Sequence, residues 1–211
     1  AEEAVYEEKK MEEMEVCFLM DRFGYMKLID KNAYERNKEA VHNENKYVFT
    51  CMNTDKICIF TDTGKMHTIK AVDIPLGRFR DKGTPVDNLS NYDSSQERML
   101  YVAPVGQLRS DRLLFVTKTS MCKLVEGAEF DVAKRTIAST KLADEDELIF
   151  IGSASEMEQI VLQSHGGCFL RFLTQEVSTM KKTALGVRGM KLADDDYLEH
   201  AYLLAEIGRA S

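Results

Sequence analysis

Tryptophan is absent from this chain of 211 residues, proline occurs three times, and no apolar run approaches the roughly 20 residues that a membrane helix needs. A helical membrane span is therefore not expected. The acidic start, AEEAVYEEKK, is the reverse of the basic-then-apolar order of a signal peptide, so the sequence reads as cytoplasmic. The five cysteines (Cys17, Cys51, Cys58, Cys122 and Cys168) form no CxxC pair and sit mostly in apolar runs, which predicts buried free thiols rather than a disulfide framework. His42, His67, His165 and His200 are scattered, with no HExxH and no Cys/His cluster at zinc spacing, and there is no P-loop. Neither a metal site, a cofactor site nor a catalytic residue is expected in this chain.

What is present is a β-rich pattern of ordinary composition, 44% hydrophobic and 30% charged. The net charge is −7, but residues 1–15 hold seven Glu and two Lys, leaving the remainder only two charges short of neutral. Residues 1–14 read as an acidic linker or N-terminal extension and 15–211 as the domain. Strand-like runs at Val16–Met20, Tyr25–Ile29, Lys46–Cys51, Lys56–Phe60, Met99–Val102 and Leu113–Val116 are separated by turn residues. Hairpin turns recur at Gly24, Gly64, Ser120 and Gly167. The octets KLADEDEL (141–148) and KLADDDYL (191–198) share six residues at an offset of 50. A period near 48 built of short strands predicts radial repetition: an all-β, propeller-like array of about four blades of four-stranded antiparallel sheet, at approximately 15–45, 46–97, 98–148 and 149–204. The acidic octets read as solvated turns, since the glycine of a calcium loop is missing.

Three stretches carry a family resemblance. Phe60-Thr61, Thr63-Gly64-Lys65, Ile74-Pro75 and then Arg80-Asp-Lys-Gly-Thr-Pro-Val-Asp-Asn-Leu89 keep one order and spacing; Arg22-Phe-Gly-Tyr-Met-Lys27 opens the chain's first hairpin; Leu185-Gly-Val-Arg-Gly-Met-Lys-Leu192 closes the series. Together they resemble the C-terminal domain of a bacterial type IIA topoisomerase A subunit, the gyrase A or topoisomerase IV A family, over nearly all of residues 15–204. The resemblance implies a β-pinwheel that binds and bends double-stranded DNA without reading sequence and presents it for strand passage. It also implies an accessory role near the nucleoid, in which the partners are an ATPase B subunit and the remainder of the A subunit, with ATP and magnesium used elsewhere in that parent isomerase. Gyrase A subunits carry a Q-R-R-G-G-K-G box after the first hairpin; here Tyr34–Asn45 reads YERNKEAVHNEN, a loop without glycine, which favours topoisomerase IV over gyrase.

The expected DNA contacts are cations that flank the turns: Arg22, Lys27, Lys65, Lys70, Arg78, Arg80, Lys82, Lys118, Lys123, Lys134, Arg135, Arg171, Lys181, Lys182, Arg188 and Lys191. Recurrence at equivalent positions would line them along one margin of the array, where they would meet phosphates rather than base edges. Exposed aromatics such as Tyr25 read as strand packing. The rival expectation, favoured by the acidic balance, is a propeller-type protein-interaction module without DNA binding.

Overall fold

The computed structural model describes residues 12–206, which fall into two compact units: residues up to 55 together with 70–84, and residues 56–69 together with 85 onward. The expected N-terminal linker lies mostly outside the described residues.

In the first unit, β1 (Glu15–Met20) and β2 (Tyr25–Ile29) form a hairpin around a turn closed by Gly24, at φ +83°. Two short helices follow, α1 (Lys31–Arg36) and α2 (Lys38–Glu44), and then β3 (Tyr47–Met52). β1 lies between β2 and β3, with Phe18 opposite both Leu28 and Phe49, so its apolar run Val16–Met20 is buried on both faces. The helices occupy the stretch expected as a loop. Asp30 caps α1 by accepting from the Ala33 amide (2.7 Å), and the side-chain amides of Asn37 and Asn45 donate to Ala33 O and Val41 O. Ala33 and Val41 are the apolar anchors; they pack with Cys17, Leu19, Ile29 and Phe79. Helices of six and seven residues are too short to show a 3.6-residue period in sequence.

The second unit repeats the hairpin three times: β4 (Lys56–Thr61) with β5 (Lys65–Lys70), β8 (Arg112–Thr117) with β9 (Met121–Glu126), and β12 (Met157–Ser164) with β13 (Phe169–Leu173). Their turns are closed by Gly64, Ser120 and Gly167, all at positive φ, so Ser120 occupies the left-handed position that glycine holds in its counterparts. Between and after the hairpins lie β6 (Thr84–Pro85), α3 (Val86–Leu89), β7 (Met99–Pro104), α4 (Val105–Leu108), β10 (Thr136–Ala138), β11 (Leu148–Ser153), β14 (Val187–Arg188) and β15 (Leu198–Ala205). Phe60, Phe115 and Phe130 form one aromatic core, with ring centroids 4.9–6.3 Å apart. Each is fully buried and contributes on the order of 1.5–3 kcal/mol.

The sheets run β3-β1-β2-β6, β10-β5-β4-β7, β11-β8-β9-β14 and β13-β12-β15. They are not the contiguous segments expected: β3, β7 and β11, which the blade divisions 46–97, 98–148 and 149–204 separate from β1, β4 and β8, pair with those strands. The outer strand beside β2, β5 or β9 is in each case a two- or three-residue piece delivered after the next hairpin. A bare hairpin leaves both edges unpaired, and covering each edge by a later segment interlocks successive repeats. The fourth sheet also departs from expectation, with three strands among the described residues rather than four.

Cys17, Cys51, Cys58 and Cys122 are buried free thiols; Cys168, beside the last turn, is exposed. Burial pushes Cys51 and Cys122 up to about 12, leaving them as unreactive thiols. No described helix is long and apolar enough to cross a membrane.

Candidate nucleic-acid interface

Three residues beyond each hairpin turn, the second strand carries Lys27, His67, Lys123 or Leu170. This register position decides what holds the polar loop that precedes each delivered strand. In the first unit, Lys27 donates its ammonium to Phe79 O and to Asp81 O (2.7 Å), and its Nζ lies 5.2 Å from the Phe79 ring centroid. In the second, Lys123 donates to Lys181 O (3.2 Å), Lys182 O (3.1 Å) and Ala184 O (2.6 Å). The loops 78–83 and 181–186 are therefore the same structure built twice. Leu28 N donates to Pro75 O and Leu28 O accepts from Gly77 N; Leu124 N donates to Ser178 O and Leu124 O accepts from Met180 N. Each loop ends on a left-handed glycine against the strand: a Cβ on Gly83 (φ +85°) would lie 2.6 Å from Met26 O, and one on Gly186 (φ +100°) 2.7 Å from Cys122 O.

Carbonyls drawn inward onto an ammonium leave the loop side chains pointing outward. Arg78, Arg80 and Lys82 are all exposed around buried Phe79. Arg80 stacks on the Phe79 ring (4.9 Å) with a 3.7 Å ion pair to Glu44, both ends exposed and so worth under about 1 kcal/mol. Lys82 stands over the half-buried Tyr25 ring at 5.1 Å, which agrees with Tyr25 as packing rather than a free stacking surface. Asp81 is turned onto its own loop, accepting from the Arg78 amide at 2.8 Å. In the second copy Lys181 and Arg188 are exposed, whereas Lys182 is half-buried and donates to Glu129 O at 3.1 Å.

Lys123 is a correction. It is 1% exposed, and burial lowers its ionisation to about 8, so its ammonium is committed to carbonyls and is not available to a phosphate. Lys27, half-buried and also lowered by burial, does the same work. The sequence holds a signal for this: a polar residue at one register position of successive apolar strands marks a structural role. His67 fills the position in the middle hairpin. Its Nε2 lies 2.9 Å from Glu97 Oε2, and its Nδ1 lies 2.9 Å from the Thr136 hydroxyl at the start of β10. The Asn91 side-chain amide also donates to that hydroxyl, at 3.0 Å.

Of the other expected contacts, Lys65, Lys70, Lys134, Arg171 and Lys191 are exposed, and Arg135 is exposed with one donor on Leu89 O (3.0 Å). Lys118 is half-buried between Glu147 (3.6 Å) and the Tyr197 ring (4.7 Å). Arg22 is exposed at the first turn, over the ring of Phe23. Sequence reasoning missed Lys46, which lines an open concavity of roughly 440 Å³ in the first unit with Arg22, Phe23, Asn43 and the carboxylates of Asp21 and Glu44. The acidic octets are turns, as expected. Asp146 and Asp196 accept from backbone amides of the neighbouring hairpin turns, at Thr119 (3.1 Å) and Gly166 (2.8 Å). No group of three or more His, Cys, Asp or Glu positioned to hold a metal ion occurs among the described residues.

Comparison with known proteins agrees with this repeat architecture. The family described as DNA gyrase C-terminal domain, beta-propeller, matches residues 55–94, 111–155 and 158–205. The DNA gyrase A subunit of Lawsonia intracellularis is 26% identical over 204 residues, covering 91% of this chain and 25% of its own length. The chain thus spans about a quarter of such relatives. Among solved structures, the C-terminal domain of DNA topoisomerase IV superposes with a TM-score of 0.82 at 21% identity, covering 93% of this chain and 63% of that one. A DNA gyrase A C-terminal domain gives 0.56 at 18% identity, covering 90% and 65%.

Proposed function

This chain belongs to the DNA gyrase C-terminal β-propeller family, and from that premise we propose that it binds double-stranded DNA through the outward cations of its clamped loops, without reading sequence. The observation that carries the reading is the duplicated clamp: Lys27 and Lys123 hold loop carbonyls inward, and Arg78, Arg80, Lys82 and Lys181 face solvent in consequence, with Arg188 exposed on β14 just beyond the second loop. Exposed cations on braced loops suit phosphates, whose spacing varies with DNA bending, better than base edges. The near-neutral body makes binding weak and steeply salt-dependent. In a parent type II topoisomerase such a module would bend a DNA segment and present it for strand passage. Strand cleavage would belong to other parts of the A subunit, and ATP hydrolysis to a partner B subunit.

A topoisomerase IV-like role fits better than gyrase-like wrapping. The stretch where gyrase A carries its glycine-rich box is here α1 and α2, which hold no glycine to let the backbone approach phosphates closely. Net charge of −7 is the one observation that favours a protein-interaction module instead. Electrophoretic mobility of a linear duplex separates the two: a shift at low salt that vanishes at moderate salt is expected, and no shift at any salt from the folded protein contradicts DNA binding.

A further inference from the structure

The four hairpin turns share a left-handed residue and differ most in the size and exposure of the residue before it. The residue preceding the left-handed turn position is Phe23, Thr63, Thr119 or Gly166. The latter three are small and tied down by a carboxylate: Thr63 Oγ1 donates to Glu97 (3.2 Å), Thr119 Oγ1 to Asp146 (2.6 Å) and Gly166 N to Asp196 (2.8 Å). Phe23 is instead 71% exposed, more than any other large hydrophobic among the described residues. Its backbone is fixed all the same, because Asp21 Oδ1 accepts from both Phe23 N (2.9 Å) and Tyr25 N (3.0 Å). The Arg22 guanidinium lies 4.8 Å from the ring centroid, and Lys46 and Asn43 line the concavity beside it.

A lone exposed ring is ordinary on a protein surface; what sets Phe23 apart is a fixed backbone and a guanidinium on its face, beside a concavity that a lysine lines. Its neighbours select the ligand. Arg22 and Lys46, the latter with its Nζ 5.5 Å from the Tyr47 ring centroid, suit phosphate, and Asn43 can bond base or sugar edges. Of the two carboxylates in the lining, Asp21 is occupied by the turn amides and Glu44 is paired with Arg80 at 3.7 Å. An apolar side chain flanked by such donors is the means by which proteins unstack a base step and kink a duplex. We infer that Phe23 is a wedge that inserts at a base step of bound duplex DNA, with Arg22 and Lys46 on the flanking phosphates. This rests on the DNA-binding reading and adds a defined kink to it.

Because tryptophan is absent, Phe23→Trp gives the full chain a single indole at the turn. The variant is titrated with an end-labelled duplex of about 30 base pairs, binding being followed separately by anisotropy of the DNA label. On saturation the indole emission is expected to be quenched and shielded from acrylamide. Phe23→Ala should weaken binding roughly fivefold or more and reduce the bend read by end-to-end energy transfer. Its salt slope should stay unchanged, since no cation is lost. Equal emission and acrylamide access in free and saturated protein, with Phe23→Ala bending DNA as the parent does, overturns the wedge and assigns the ring to a protein contact. Absence of any anisotropy change would instead remove the DNA reading itself.

Discussion

Lys27 and Lys123 occupy one position in two hairpins and do one job in two environments. Lys27, half-buried, gathers two carbonyls of a loop that carries three exposed cations; Lys123, fully buried, gathers three carbonyls of a loop whose second lysine is itself drawn inward. The difference teaches that the repeat keeps the clamp while the payload varies. Rigidity comes from ammonium-to-carbonyl bonds under the loop, and on the proposed function DNA affinity would come from whichever side chains the loop then displays. The 78–83 loop is accordingly the stronger candidate contact, and the 181–186 loop the more structural one.

The largest break of that comparison is Lys123→Met. Three carbonyls lose their donor at a buried site, and the expected cost is about 2–4 kcal/mol, read as a shift of the urea midpoint; a neutral outcome would show the clamp to be dispensable. Lys123 also gives a pH signature. Its folded value of about 8 lies below the ordinary lysine value of 10.5, so the native state releases this proton more readily than the unfolded chain. Its contribution to stability is fully present above pH 10.5 and is lost as pH falls through about 8. The gap between parent and Lys123→Met should therefore widen as pH rises through that window.

Next come Gly83→Ala and Gly186→Ala, which force a Cβ onto Met26 O and Cys122 O at positive φ. Each should cost on the order of 1–3 kcal/mol, and Gly83→Ala should also weaken DNA binding by displacing its loop. Equal thermal losses would sharpen the equivalence of the two loops, whereas a harmless change at one would break it. The smallest effect is expected for Gly167→Ala, where φ is +87° but no atom lies within 4 Å. Only the left-handed penalty remains, about 1 kcal/mol in chemical denaturation.

The hairpin framework is legible in the amino-acid sequence alone. The turns at Gly24, Gly64, Ser120 and Gly167 can be read because a left-handed position leaves a mark even where serine replaces glycine, and Ser120 does adopt φ +76°. The delivered strands β6, β10 and β14 cannot be read, because two or three residues carry no alternation. Their partners, moreover, lie one repeat back along the chain. The helices over 31–44 are hidden for the same reason of length. Among the cations, the sequence predicts exposure well for the loop residues Arg78, Arg80 and Lys82. It fails at Lys123, where the recurring polar residue three positions beyond the turn marks a structural position but does not say that loop carbonyls converge on it.

Inward carbonyls turn the loop cations outward, where the proposed function has them meet phosphate. The direct test is the salt dependence of duplex binding by the chain with Arg78, Arg80 and Lys82 all replaced by alanine. The slope of log affinity against log salt should flatten by about one unit per lost phosphate contact, uniformly across DNA sequences; a slope identical to that of the parent would mean that these side chains are ordinary solvated charge and would contradict the account.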